Sequence, residues 1–205
     1  MVSGFDLSAL LTIFATVFVA ELTDKDALLL LTLATKTKPS LVFAAGSTTF
    51  VMTTAIIVLV GSALLDFIPV FWIKVGGGTI MLAYAAWGLR GLMGAKVVTE
   101  SERKLVKGVA EGRSMVRTFV AMVVALATLD LAGDATELVI IVFVARFGNI
   151  LIVFVAASVA LVAAAALETV IGRSLIRFLS PKRIQYLSVG IFLIIGASII
   201  LTSVF

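Results

Sequence analysis

Apolar residues fill six stretches of the chain, at about 7–34, 40–64, 68–94, 115–147, 149–178 and 184–204. A helix that crosses a bilayer needs about 20 such residues, so each stretch predicts one transmembrane helix. Polar breaks separate them at Lys36-Thr37-Lys38-Pro39, Asp66 to Pro69, Phe147-Gly148-Asn149 and Ser180-Pro181-Lys182. The segment 95–114, AKVVTESERKLVKGVAEGRS, is the one long polar stretch. It is too polar to insert and too short to form a domain. The pattern predicts an all-α polytopic membrane protein of six transmembrane helices, three in residues 1–94 and three in 115–205, joined by the linker 95–114.

The two halves read as repeats. At an offset of 110, Asp24 falls on Asp134, Leu28 on Leu138, Lys36 on Arg146 and Leu41 on Leu151, while Gly46 and Ser47 fall on Ala156 and Ala157. Three spans per half force successive halves into opposite orientations, so the repeats are expected to be inverted. Secondary transporters commonly use this plan, with the binding site near the midplane.

Composition narrows the chemistry. Hydrophobic residues make up 61% of the chain, charged residues 14%, and the mean hydropathy is +1.23, which excludes a soluble domain of this length. There is no cysteine and no histidine. Disulfides, thiolate metal sites and imidazole proton shuttles are excluded, so any metal is bound by oxygen and any proton relay runs through carboxylates. Lys36 and Lys38, the basic residues between Arg90 and Arg117, and Arg173, Arg177, Lys182 and Arg183 fall on one side of the predicted spans. Only Lys74 and Arg146 fall on the other, which places the linker in the cytoplasm and both termini outside. The net charge of +4 reflects this asymmetry and fits contact with anionic lipid rather than nucleic acid. The first run lacks a basic leader and contains acids, so it reads as a retained span.

Two acidic stretches interrupt the apolar runs. Glu21-Leu22-Thr23-Asp24-Lys25-Asp26 lies in the first run, and Asp130-Leu131-Ala132-Gly133-Asp134-Ala135-Thr136-Glu137 in the fourth. Both lie about 14–18 residues into their runs, roughly 21–27 Å at 1.5 Å per residue, near mid-depth for spans that tilt or break. A charge at that depth costs about 2.5–3.5 kcal/mol on insertion scales, so the acids are expected to meet each other, or a cation, in a cavity. On a continuous helix Glu21, Asp24, Lys25 and Leu28 share one face, and Asp130, Asp134 and Glu137 share another. Asp26 points elsewhere unless its turn is unwound. Gly133, where Thr23 stands in the first half, permits a break that turns carbonyls toward an ion. Two such faces across a pseudo-twofold axis form an all-oxygen cage suited to Mg²⁺, Ca²⁺ or Mn²⁺. With only Lys25 among six acids, the cage must take up protons when the cation leaves. A purely structural role fails on that imbalance, since one lysine cannot neutralise six acids.

Glu168 has no acidic counterpart, because the offset gives Val58. It pairs with Arg173 or Lys25, or lines an exit path. Ser47, Thr48, Thr49, Thr53, Thr54 and Ser158 are expected to bond helix backbones, with Ser47, Thr48 and Ser158 also candidates for a path. Gly76-Gly77-Gly78 reads as close helix packing. Trp72 and Tyr186 fit the interfacial belt.

The first acidic stretch resembles the Glu-x-Gly-Asp-Lys-Thr/Ser motif of the Gdt-type divalent cation/proton exchangers. That group includes Golgi manganese and calcium transporters and prokaryotic relatives within the LysE superfamily. The resemblance covers essentially the whole chain: motif, span count, central linker and second motif. It implies exchange of Mn²⁺ or Ca²⁺ for protons, with the Glu and Asp of each motif as ligands. Glu21, Asp24 and Lys25 match the first motif, and Gly133, Asp134 and Thr136 the second. Thr23 stands for the first glycine and Asp26 for the threonine. Leu131 stands at the second glutamate position and Ala135 at the second lysine, with Asp130 or Glu137 available to supply the missing carboxylate.

The sequence therefore predicts a secondary exporter rather than an enzyme. It exchanges a divalent cation, Mn²⁺ first and Ca²⁺ second, for inward protons across a prokaryotic plasma membrane. The expected metal ligands are Glu21, Asp24, Asp130, Asp134 and Glu137, with Thr23, Lys25, Asp26, Gly133, Thr136 and Glu168 in supporting or proton-coupling roles. No permanently bound cofactor is expected. The partners are the ion, protons and membrane lipid, a homo-oligomer is compatible, and nucleic acid is not expected. The alternative cargo is a basic amino acid or another organic cation, but few aromatics flank the motifs to bind an organic body. An intramembrane aspartyl protease built on Asp24 and Asp134 lacks a Pro-Ala-Leu signature and leaves four acids unused. A non-transporting membrane scaffold gives no reason for paired acidic stretches at mid-depth.

Overall fold

The computed structural model describes residues 7–22, 25–91, 114–131, 135–178 and 181–204. Among these there are eight helices and no strand: α1 (Leu7–Leu22), α2 (Lys25–Lys36), α3 (Pro39–Phe67), α4 (Val70–Gly91), α5 (Met115–Asp130), α6 (Ala135–Phe147), α7 (Ile150–Phe178) and α8 (Pro181–Val204). Two of the six apolar runs hold two helices each, α1 with α2 and α5 with α6. The linker 95–113 lies outside the described residues, as do Thr23, Asp24, Gly133 and Asp134.

Local chemistry sets the helix ends. Pro39 opens α3, where its missing N–H is no loss, after Lys38 in an extended conformation. At the equivalent corner of the second half the turn is built differently. Gly148 follows α6 at φ +64°, a left-handed conformation glycine adopts without strain, and its N–H donates to the Val144 carbonyl at 3.0 Å. Asn149 Oδ1 then accepts from the Ile152 N–H at 3.2 Å and caps α7. Lys36 and Arg146, matched by the repeat, stand in the last turns of α2 and α6, where a cation complements the helix dipole.

The helices pack in corresponding pairs. α4 lies along α8, and α3 along α7. α1 packs on α7 as its counterpart α5 packs on α3, and α2 packs on α7 as α6 packs on α3. The correspondence is not complete, since α4 also packs on α6. Phe50, Phe143, Ile13, Leu30 and Met122 are fully buried in the shared core.

Two of the three consecutive glycines allow close approach, as expected. A Cβ on Gly77 would run into Val142 of α6, and one on Gly78 would stand 3.1 Å from the Gly196 carbonyl oxygen of α8. Gly76 meets nothing within 4 Å.

The distribution of polarity is that of a protein solvated by lipid. Met52, Ile56 and Val60 on α3, Val116, Val120 and Val124 on α5, and Leu151, Val155 and Val159 on α7 form exposed apolar stripes at four-residue spacing. Glu21, Asp130, Glu137 and Glu168 are buried. In water this arrangement would be unfavourable on both counts, whereas in a bilayer ionisable groups belong inside the bundle. α3 and the Ile150–Val170 part of α7 are long and apolar enough to cross a membrane. Trp72 and Tyr186 are exposed, as belt residues would be.

Most hydroxyls close on their own helix. Thr16 donates to the Thr12 carbonyl, Thr49 to Ala45, Thr53 to Thr49 and Thr169 to Ala165, all between 2.6 and 3.0 Å. This satisfies a donor without help from water.

Candidate functional site

Three of the five expected metal ligands are among the described residues, and all three are buried. Glu21 stands one residue before the end of α1 and is 1% exposed. Asp130 is the last residue of α5, and Glu137 lies in the first turn of α6. A carboxylate in a first helical turn faces the positive end of the dipole and the free N–H groups, so Glu137 is well placed as an acid. Asp24 and Asp134 lie outside the described residues, as do the side chains of Lys25 and Asp26.

One contact joins the two acidic stretches. Thr136 Oγ1 donates to Glu21 Oε2 at 3.3 Å, across 115 residues of sequence, and both side chains are buried. The supporting threonine of the second motif thus orients the glutamate of the first. Contacts of α1 with α6 bring these helix ends together.

One sequence expectation needs correction. Asp130 and Glu137 do not share a helical face, because α5 ends at Asp130. Leu131 caps it, with its N–H donating to the Ala127 carbonyl at 3.0 Å, and α6 starts afresh at Ala135. The face argument needs an unbroken 3.6-residue register, and the cap interrupts it. Leu131 is 45% exposed where Asp130 is 6% exposed. An acid at the motif's own position would therefore look outward, whereas one residue earlier it is buried.

Glu168, on α7, is also buried, and Thr169 beside it is bonded back to its own helix. Of the candidate path hydroxyls, Thr48 is exposed and donates to the Ala44 carbonyl at 2.8 Å. The oxygens of Ser47 and Ser158 are buried and make no hydrogen bond among the described residues. Thr54 behaves the same way. Nothing in the pattern of residues signals this, since Thr54 differs from Thr53 only by 100° of helical phase.

Among the described residues, no group of three or more acidic side chains is gathered closely enough to hold an ion. The described carboxylates are each buried at a helix end: Glu21 at the end of α1, Asp130 at the end of α5 and Glu137 at the start of α6. Their oxygens suit hard divalent cations, and their protonation opposes cation binding.

Neither a curated protein nor a solved structure matches the chain. A family model described as divalent cation/proton antiporter GDT1 matches residues 9–96 and 115–204. Nearly the whole chain is matched, with buried acids inside an apolar helical bundle, and the chain belongs to this family of membrane transporters.

Proposed function

We propose that this antiporter exports a divalent cation from the cytosol in exchange for inward protons, with Mn²⁺ as the first cargo and Ca²⁺ as the second. Glu21, Asp24, Asp130, Asp134 and Glu137 form its site. Residues 1–94 and 115–205 are two inverted three-span repeats around that site, joined by a cytoplasmic linker at 95–114, with both termini outside a prokaryotic plasma membrane. Rocking of one repeat against the other alternates access. No enzymatic role and no resident cofactor belong to this reading.

The observation that carries it is the buried hydrogen bond from Thr136 to Glu21, which ties the two acidic stretches to each other rather than to separate places. The chemistry follows from the side chains. Without histidine, the groups that release the metal are the groups that take up the protons, and each ion bound displaces protons from carboxyl oxygens. Exchange is then a property of the ligand set itself.

The test is uptake of Mn²⁺ and Ca²⁺ into proteoliposomes with and without a pH gradient, for wild type and for Asp24→Asn with Asp134→Asn. Gradient-driven flux that both substitutions abolish supports the reading. Flux of a basic amino acid with none of either metal changes the cargo and keeps the fold. Wild-type behaviour of the double variant makes the carboxylates structural and ends the proposal.

A further inference from the structure

The repeat calls for four contacts around the α4–α8 pair, and two of them are made. α4 packs on α6, but among the described residues its counterpart α8 does not pack on α2, the counterpart of α6. α8 packs on α1, but α4 does not pack on α5. The pair therefore leans on the rest of the bundle through α1 and α6.

Those two helices lie on one side of the candidate site. The first apolar run is broken into α1 and α2, and the fourth into α5 and α6. Glu21, Asp130 and Glu137 stand at the breaks. In the orientation proposed above, α1 and α6 are the outer halves of the broken runs, and α2 and α5 the cytoplasmic halves. The pair is closed against the outer halves and stands away from the others.

Burial follows the packing. Val142 of α6 is 2% exposed, and Ala145, one turn on, is also buried. The 110-residue offset sets Thr32 and Thr35 of α2 at these places, and there Thr32 is half-buried and Thr35 exposed. Both helices are otherwise seated in the core, since Leu29 and Val139, Leu30 and Ile140, and Leu33 and Phe143 are buried in both halves. The chemistry changes in the same sense, with apolar side chains on α6 and hydroxyls on α2.

The closed side is tight. A Cβ on Gly77 would run into Val142 Cγ2 and stand 3.4 Å from Val142 Cβ. A β-branched side chain has little freedom to turn aside, so α4 comes this close to α6 because residue 77 is glycine.

We propose that the α4–α8 pair is the gate of the transporter, shut on the outer side by Gly77 against Val142 and open on the cytoplasmic side along Thr32 and Thr35. The proposal rests on the transport reading above. Alternating access then exchanges partners: the pair leaves α1 and α6 and takes up the counterpart contacts on α5 and α2, which the repeat makes equivalent. Because the acids stand at the breaks, either set of contacts shuts one approach to them and leaves the other.

The chain has no cysteine, so introduced thiols are the only ones present. Gly77→Cys with Val142→Cys sets two Cβ atoms 3.4 Å apart, at the short end of the ~3.5–4.5 Å that a disulfide spans. Oxidation of this variant in metal-free proteoliposomes is expected to join the pair, read as loss of free thiol by mass, and to abolish Mn²⁺ flux until a reductant restores it. Val142→Cys alone should not respond to the oxidant. In inside-out vesicles, Thr32→Cys is expected to react with a membrane-impermeant maleimide applied to the cytoplasmic face, and Val142→Cys to resist it from either face. Failure of the bridge to form, or flux that survives the bridge, overturns the proposal. If the double variant does not fold, the labelling decides: a Thr32→Cys variant labelled only from the outer face, or no better than Val142→Cys, overturns it. If wild type moves no divalent cation, the transport reading fails, while bridging and labelling still show which side is shut.

Discussion

Thr136 Oγ1 and Glu21 Oε2 are 3.3 Å apart, in a buried contact between the first turn of α6 and the last turn of α1. A hydroxyl that donates to a carboxylate orients it and satisfies one of its lone pairs. Hydrogen bonds to charged groups contribute about 1.5–3 kcal/mol. Thr136→Val, which keeps the shape and removes the donor, is therefore expected to weaken Mn²⁺ binding by roughly ten- to a hundredfold. Thr136→Ser should stay within a few-fold of wild type. Isothermal titration of the detergent-purified protein reads both, and equal affinities for the valine and serine variants would sink the contact's role.

The second motif lacks its glutamate, and Asp130, buried beside the exposed Leu131, is the substitute proposed here, with Glu137 as the alternative. Asp130→Asn is expected to lower metal flux by at least about a hundredfold, the scale of losing a charged ligand or its support at a metal site. Leu131→Gln should leave flux near wild type, because it changes an outward-facing position. Transport assays on the two variants check this, and an intact Asp130→Asn variant would shift the missing ligand to Glu137.

With no imidazole in the chain, the proposed site couples protons through its carboxylates. Their deprotonated forms bind the metal, so affinity rises with pH and is lost as pH falls into the carboxylate range. Mn²⁺ added to weakly buffered protein should release protons, and Glu21→Gln should reduce the number released. A pH-sensitive dye in the binding assay reads the count. Binding without proton release would separate the cation from the coupling groups.

Much of this architecture was legible as pattern. The apolar runs located the helical segments, although two of the six runs hold two helices each, and the 110-residue offset matched helices that pack in corresponding pairs, down to Lys36 and Arg146 in equivalent last turns. The buried state of Glu21, Asp130, Glu137 and Glu168 followed from the cost of putting acids against lipid. What pattern did not give was local. A regular register through 115–147 joined Asp130 to Glu137, but the cap at Leu131 breaks it, and capping depends on backbone geometry that apolar composition does not encode. Nor does sequence separate Thr53, closed on its own helix, from Thr54, which is not, because that depends on which neighbour each helical phase meets.

The α4–α8 seam yields a test independent of transport. Gly78 and Gly196 approach backbone to backbone: a Cβ on Gly78 would stand 2.8 Å from Ile200 Cγ1 and 3.1 Å from the Gly196 carbonyl oxygen, and one on Gly196 would stand 3.0 Å from the Gly78 carbonyl oxygen. A backbone oxygen cannot move aside as a flexible side-chain tip can. In a bilayer, where apolar surface alone does not drive helices together, such close contacts carry much of the association. Gly78→Val and Gly196→Val are therefore expected to destabilise the bundle by about 1–3 kcal/mol each, the usual scale of overpacking. Gly76, two residues before Gly78, meets nothing within 4 Å, and alanine there gains up to about 1 kcal/mol of helix propensity. Gly76→Ala should hold or raise the melting temperature in detergent while the two valine variants lower it. Equal effects at Gly76 and Gly78 would mean that the seam is not held by this crossing.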